Sequence, residues 1–414
     1  MWSKIKAGEK ADFNEGDKYG GKLNPRKPGA WPKTRILSPQ FLKTILVKKQ
    51  CNKLITYRGV HVVGAWFTKP LDMTFTKIFH LLALNLSKFE NKVDLTHMQA
   101  SSLISFQGSK FDNKLLMSSL NAEKNVFLRG GVFEEVVLEN AKIKGPLELN
   151  GSIFNGTLRM NGLDVGSNLF MSGSDFIKEV DLTSARIEGK IELDGSQFQE
   201  AFNMIDLVVD KGIFMKKYEY KEKEKSKFIK TVFRKEVNLQ RARMGNLFIK
   251  DSEFFKPVDL SFSKVYGNFF ILGGMLSSIN LLGAQIDGEF WLYKSRSLPK
   301  WSEGAKLILS NTRVGLLQDH EDAWPENLEL DGFSYNRWGS SKKLGNDIAS
   351  RDLSWSINWL AKTGEYSPQP YQQLGGFLRK EGFLIKGNKV LFESYSQMWC
   401  MESWSGVVQL NFCN

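Results

Sequence analysis

Pairs of apolar residues flanking one variable residue recur along this chain at a nearly fixed interval. They begin at Val60, Leu71, Leu82, Val93, Ile104, Leu115, Val126, Val136, Leu147, Leu158, Leu169, Val180, Ile191, Phe202 and Ile213; thirteen of the fourteen intervals are 11 residues and the other is 10. The series resumes at Val237, Leu247, Val258, Phe269, Ile279 and Phe290. An 11-residue apolar period suits a right-handed helical coiled coil. The local composition argues against that, because stretches such as "VDLTSARIEG" and "KIELDGSQF" alternate apolar and polar residues as strands do and are punctuated by Gly.

A finer spacing lies within the period. The second residue of each pair and the next apolar residue run Leu149, Phe154, Met160, Val165, Met171, Phe176, Leu182, Ile187, Leu193, Phe198, in alternating steps of 5 and 6. Four such steps make one coil of 22 residues with four short faces. Each face turns an apolar residue inward, and Gly, Ser or Ala lets the backbone turn the corner. Inward residues then stack on their equivalents one coil above, at ~4.8 Å, because a single coil cannot bury such a row alone.

This pattern resembles the pentapeptide-repeat class of right-handed β-helices, in a variant whose alternate units have six residues. The resemblance spans roughly 60–292 and implies about ten coils, on the order of 50 Å of rod. "YSPQPYQQL" at 366–374, preceded by "LDGFSYNRW" at 330–338, is similar to the terminal module of many bacterial β-solenoid proteins. In those relatives hydrophobic segments often follow, and some are called membrane-associated oxidoreductases. Here "WSGVVQLNFCN" is too short to span a bilayer.

The expected organisation is a basic arm and capping helix over 1–50, the β-helix over 51–330, and an α-helical module over 331–414. "LSPQFLKTILVKK" offers Ser38 as N-cap, Pro39 in the first turn and Phe41, Leu42, Ile45 and Leu46 on one side, a helix suited to cover the open edge of the first coil. Residues 1–35, rich in Gly, Pro and Lys, read as an extended, weakly ordered arm. Past residue 300 the ladder weakens, with Leu307, Leu309, Leu328 and Leu330 as worn final rungs. Three helices are then predicted: one carrying Leu353, Ile357 and Leu360 with Trp355 and Trp359 beside them, one capped by Ser367 and ended by Gly382, and a short one at "NKVLFESY".

The residues exclude most enzyme classes. His61, His80, His97 and His320 lack metal-ligand spacing, and Cys51, Cys400 and Cys413 are too scattered for a zinc site or a disulfide framework. No phosphate-binding glycine loop, nucleophile elbow or dinucleotide fingerprint occurs. No catalytic residue, metal or cofactor is therefore expected. The outward position on alternate faces reads Asp72, Asp94, Leu116, Val137, Arg159, Asp181, Asn203, Asn238, Asp259, Asn280. Asp72 and Asp94 could pair as general acid and base, as in a β-helix hydrolase or lyase, but a structural ladder of corner hydrogen bonds explains them more simply.

The other outward column reads His61, Ala83, Ser105, Phe127, Glu148, Phe170, Glu192, Phe214, Phe248, Phe270, Trp291. Phe214, Phe248, Phe270 and Trp291 would form an outward aromatic strip, which calls for a cover. The candidates are the excursion at 216–235, another protein or copy, a membrane surface, or stacked bases. Charge is equally localised. The formal net charge is +12, and it resides in residues 1–50 and in the excursion, leaving the remainder near neutral. Lys216, Lys217, Lys221, Lys223, Lys225, Lys227 and Lys230 are the candidate contacts for a polyanion, either nucleic acid or an anionic membrane. The sequence thus points to a non-catalytic scaffold or protein-interaction module, with polyanion binding as the alternative and no small-molecule substrate. A cytoplasmic setting is expected, at the membrane periphery under the second reading.

Overall fold

A computed structural model describes residues 1–27, 29–222, 225–293, 298–339 and 348–405, excepting the side chains of 220–222, 225 and 400–405. It is mainly β, a parallel solenoid of about 12 coils of about 22 residues. The described chain forms two compact units, Met1–Asn238 and Leu239–Asn414.

In the first unit each coil contributes four short strands. The first coil supplies Val60–Val63, Trp66–Phe67, Leu71–Asp72 and Lys77–Ile78. The coil strands pair in parallel with their counterparts one coil on, so Leu82 aligns with Ile104, Ile104 with Val126 and Leu147 with Leu169. The lone 10-residue interval is absorbed in the turn between Phe133 and Val136, and the register carries on as Phe133 against Phe154 and Val136 against Leu158.

The recurring Gly-Ser-x-Phe has a separate task for each residue. Gly151, Gly173 and Gly195 hold φ of +64°, +64° and +73° at the corner between the first and second faces, a region costly for other residues. The serine that follows is buried and bridges coils. Ser174 Oγ accepts from Ser152 N (3.3 Å) and donates to the Leu149 carbonyl (2.8 Å). The phenylalanine enters a continuous stack of Phe67, Phe89, Phe111, Phe133, Phe154, Phe176, Phe198 and Phe233, each at most 1% exposed. Ring centroids are 4.4 to 5.2 Å apart and nearly parallel. The inward residues expected from the spacing, including Met160, Met171, Leu182 and Ile187, are all buried.

The N-terminal segment departs from the extended arm its composition suggested. Helix α1 (Trp2–Lys6) leads into Ala11–Asp12, which pairs in parallel with Val62 and Val63 and so closes the open edge of the first coil. Arg35 ties the segment together. Its buried guanidinium donates to the carbonyls of Tyr19 (2.7 Å), Gly64 (3.1 Å) and Gly21 and to Asn14 Oδ1 (2.8 Å). Many Gly and Pro residues thus mark irregular but fixed backbone here. Helix α2 (Pro39–Val47) begins at Ser38, whose hydroxyl accepts from Phe41 N (3.4 Å), and buries Leu42, Ile45 and Leu46 as expected. The short α3 (Lys49–Asn52) follows.

In the second unit the expected final rungs form, and one further strand, Ser334–Trp338, follows them. Leu307 and Leu328 sit in paired strands, Lys306–Ile308 and Asn327–Glu329, and are at most 2% exposed. Two faces fuse into longer strands, Gln285–Trp291, Arg313–Gln318 and Ser334–Trp338. Helices α4 (Leu353–Ala361), α5 (Pro368–Lys380) and α6 (Leu384–Ser405) follow, the last much longer than "NKVLFESY" indicated. Ser367 caps α5 by accepting from Gln369 N (3.3 Å). One turn apart on α5, Gln369 Nε2 donates to the Phe333 carbonyl (3.1 Å) and Gln373 Nε2 to the Tyr335 carbonyl (2.9 Å). These amides take the place of a further rung along the last strand.

Candidate interaction surfaces

The alternation along each strand decides which residues face out. Leu247 and Ile249, Phe269 and Ile271, and Phe290 and Leu292 are at most 1% exposed, whereas the residues between them, Phe248, Phe270 and Trp291, are only half-buried. Parallel register aligns Phe248 with Phe270 and Phe270 with Trp291, with ring centroids 5.1 and 6.1 Å apart. Trp291 Nε1 donates to Glu289 Oε2. The structure therefore brings three of the four strip residues together on the outside of the second unit. Phe214 belongs to the first unit. It faces out between the buried Ile213 and Met215, with the Lys216 ammonium 5.4 Å from its ring.

The excursion is an antiparallel hairpin of Tyr218–Glu222 and Lys225–Ile229. Its base is fixed by Thr231 Oγ1, which accepts from Gly195 N (2.8 Å) and donates to the Lys216 carbonyl (2.6 Å). Tyr218 and Phe228 remain 42% and 53% exposed. Phe233, counted with the excursion in the sequence, is instead a buried ring of the phenylalanine stack, 4.8 Å from Phe198. Of the candidate polyanion contacts, Lys223 lies outside the described residues, as do the side chains of Lys221 and Lys225. Lys217, Lys227 and Lys230 are exposed, with Lys217 Nζ 4.9 Å from the Phe228 ring, and Lys216 reaches Asp194 at 3.5 Å. The backbone register sets Glu222 opposite Lys225, so the hairpin interleaves its charges.

Asp72 and Asp94 align on neighbouring rungs, yet each is used at its own corner. Asp72 Oδ1 accepts from Thr74 N (2.9 Å) and Thr74 Oγ1 (2.7 Å), and those bonds hold its pKa below the ordinary carboxylate value. Burial alone would raise Asp94, but hydrogen bonds from Thr96 and the Lys92 charge outweigh it and the pKa falls. A general acid needs the opposite shift. Asp181 and Asp259 make the same corner bond, to Thr183 N and Ser261 N. The histidines stay apart. His80 Nε2 meets the Asn52 carbonyl (3.1 Å), His97 stacks on Phe75 (4.7 Å), and His320 lies 4.9 Å from Tyr293. Among the described residues no cluster of three His, Cys, Asp or Glu could hold a metal ion, and no helix is long and apolar enough to cross a membrane.

Two sites escaped sequence reasoning. A cleft of about 540 Å³ opens where the N-terminal segment meets the first coils, lined in part by Lys10, Asp12, Lys22, His61, Asn85 and Arg129. Asn85 Oδ1 accepts from Ser105 Oγ (2.7 Å) and Gln107 N (3.0 Å), which turns Asn85 Nδ2 toward His61 Nε2 (3.4 Å). Burial, reinforced by Lys10, lowers the His61 pKa and keeps the ring neutral. In the second unit, buried Asp319 accepts from Trp324 Nε1 (2.6 Å), Trp338 Nε1 (2.7 Å) and a fork of Arg351 (2.8 and 2.9 Å). Arg351 also lies 4.4 Å from the Trp355 ring. The abundance of Trp was the only sequence signal, since Arg351 is 32 residues from its partner.

Comparisons with protein-family models, with curated proteins and with solved structures give no match to this chain.

Proposed function

We propose that this chain is a non-catalytic scaffold that presents the outward strip of Phe248, Phe270 and Trp291 to another protein. The observation that carries this reading is three outward-facing, partly exposed aromatic rings on consecutive coils, each backed by buried neighbours that hold it in place. Large aromatics on a rigid sheet lose little conformational freedom on docking, which suits them to anchor an interface. Asp72 and Asp94 support the same reading, because each is hydrogen-bonded at its own corner. The alternating steps of five and six support kinship with right-handed pentapeptide-type solenoids, and the Gln369 and Gln373 contacts support a helical module that ends the solenoid. The test is co-purification from extracts of the source organism with parent and Phe270→Asp chains. A partner retained by the parent and lost by the variant, with unchanged thermal stability, supports the reading; identical partner profiles refute it.

Exposed Lys217, Lys227 and Lys230 favour a second reading, polyanion binding by the hairpin together with the basic N-terminal segment. It requires retention on heparin that falls steeply with salt and is lost when Lys217, Lys227 and Lys230 become Gln. Retention unchanged by those substitutions removes the hairpin from the account.

A further inference from the structure

Among the described residues, helix α6 carries a stripe of exposed apolar side chains. Ile385, Phe392, Tyr395 and Trp399 are 77%, 72%, 61% and 68% exposed. Ile385, Phe392 and Trp399 are spaced by seven residues, two helical turns, so they form one line along the helix with Tyr395 beside it. The opposite side of α6 is anchored. Gly387 and Gly375 let α6 and α5 cross closely, since a Cβ on Gly387 would lie 2.7 Å from the Gly375 carbonyl oxygen. Tyr366 Oη donates to the Ser394 carbonyl (2.7 Å), and Val390 is fully buried. Beside the stripe, a groove of about 580 Å³ between α4 and α6 is lined by Leu353, Ile357, Ile385, Lys389 and Phe392, among others.

We propose that this stripe is the self-association surface of the protein, closed by α6 of a second copy running antiparallel across a two-fold axis at Phe392. Three observations select that occupant. Ile385 and Trp399 lie seven residues to either side of Phe392, so the axis brings Phe392 against Phe392 and each Ile385 against Trp399 of the second copy, the self-complementary contact a two-fold interface needs. The charges agree. Antiparallel alignment sets Lys389 within one turn of Glu393 of the second copy, whereas parallel alignment sets Lys389 level with Lys389 and Glu393 level with Glu393. The area is also sufficient. With aromatic side chains of about 200 Å² each, the open stripe is on the order of 500 Å² per copy. Pairing would bury about 1,000 Å² in total, the threshold for a specific interface, before Leu353 and Ile357 add to it. A lipid surface fits less well, because the flanks of an interfacial helix are rich in Lys and Arg, and here they hold Asn388, Lys389, Glu393 and Ser396.

The proposal stands apart from the Phe248–Phe270–Trp291 strip, so its test uses variants of both surfaces. Sedimentation velocity of the whole purified chain is measured from about 1 to 100 µM, a range that covers weak, reversible self-association. The expected result is a concentration-dependent species of twice the 47.2 kDa chain mass. Phe392→Asp should be monomeric throughout with unchanged circular dichroism and melting, and Phe270→Asp should dimerise like the parent. In a background with Cys51, Cys400 and Cys413 changed to Ser, Ile385→Cys mixed with Trp399→Cys should give an oxidised heterodimer, and Ile385→Cys alone should not cross-link. A parent monomeric at the highest concentration overturns the proposal. So does a Phe392→Asp chain that still dimerises, or a monomeric parent that binds phosphatidylserine vesicles through this stripe.

Discussion

Phe176→Asp places a carboxyl in the middle of the phenylalanine stack, and its consequences can be worked coil by coil. Phe176 is fully buried, with ring centroids 5.1 Å from Phe154 and 4.6 Å from Phe198. Removing such a ring from a packed core costs about 3–5 kcal/mol. A carboxyl left there without a partner adds roughly 2 kcal/mol or more, even after it takes up a proton to become neutral. The sum approaches the whole stability of an ordinary domain, about 5–15 kcal/mol. In a repeat array that loss falls first on the altered coil and its neighbours. Hydrogen exchange resolves this. Amides of Ile177 and Gln199, which donate to the Phe154 and Phe176 carbonyls, should exchange far faster in the variant. Those of Lys110 and Asp112, bonded to Ser87 and Phe89 further along the unit, should keep most of their protection. Phe176→Leu, which retains most of the apolar volume, should leave both sets nearly unchanged. Equal loss of protection at all four amides, or none at any, would refute the nearest-neighbour reasoning.

Ser174→Ala strands the Ser152 amide and the Leu149 carbonyl in the buried corner, so urea unfolding should show a loss of about 1–3 kcal/mol. Arg351→Ala leaves the Asp319 carboxylate buried with its countercharge gone; a loss of about 3–5 kcal/mol and a red shift of tryptophan emission are expected. His61 titrates below its ordinary value of 6.5 in the folded chain because burial disfavours the charged ring. The unfolded chain therefore binds the proton first on acidification, and stability falls as pH drops through 6.5 toward the lower folded value. His61→Gln should flatten that part of the stability–pH curve, and an unchanged slope would show that another group is responsible.

The period of 11 and the steps of 5 and 6 were enough to place every inward residue from Leu149 to Phe198, because a solenoid repeats one local solution and its contacts lie at a constant separation. The same alternation put Phe248, Phe270 and Trp291 outside. The bounds of 216–235 for the excursion wrongly took in Phe233, since the position where a hairpin rejoins the ladder depends on the Thr231 hydrogen bonds rather than on spacing. The N-terminal segment was illegible because its order depends on Arg35 gathering carbonyls from distant turns. Asp319, Arg351 and the tryptophans around them were hidden for a related reason: Asp319, Trp324 and Arg351 lie in irregular connections, Arg351 well apart in sequence from the other two, where no period places them. The ends and the excursion carry no period, so their structure comes from tertiary contacts that a periodic reading does not contain.

The central claim is that consecutive residues on these strands have opposite fates, one holding the solenoid together and the next forming its working surface. Phe269 and Phe270 test it most directly, being fully buried and half-buried neighbours on one strand. Chemical denaturation of Phe269→Asp and Phe270→Asp is the measurement. The account requires Phe269→Asp to lose at least ~5 kcal/mol or fail to fold, and Phe270→Asp to unfold within about 1 kcal/mol of the parent, as surface substitutions do. Comparable destabilisation by both would mean that the strip is core covered by the chain itself, and the proposed interface would fall with it.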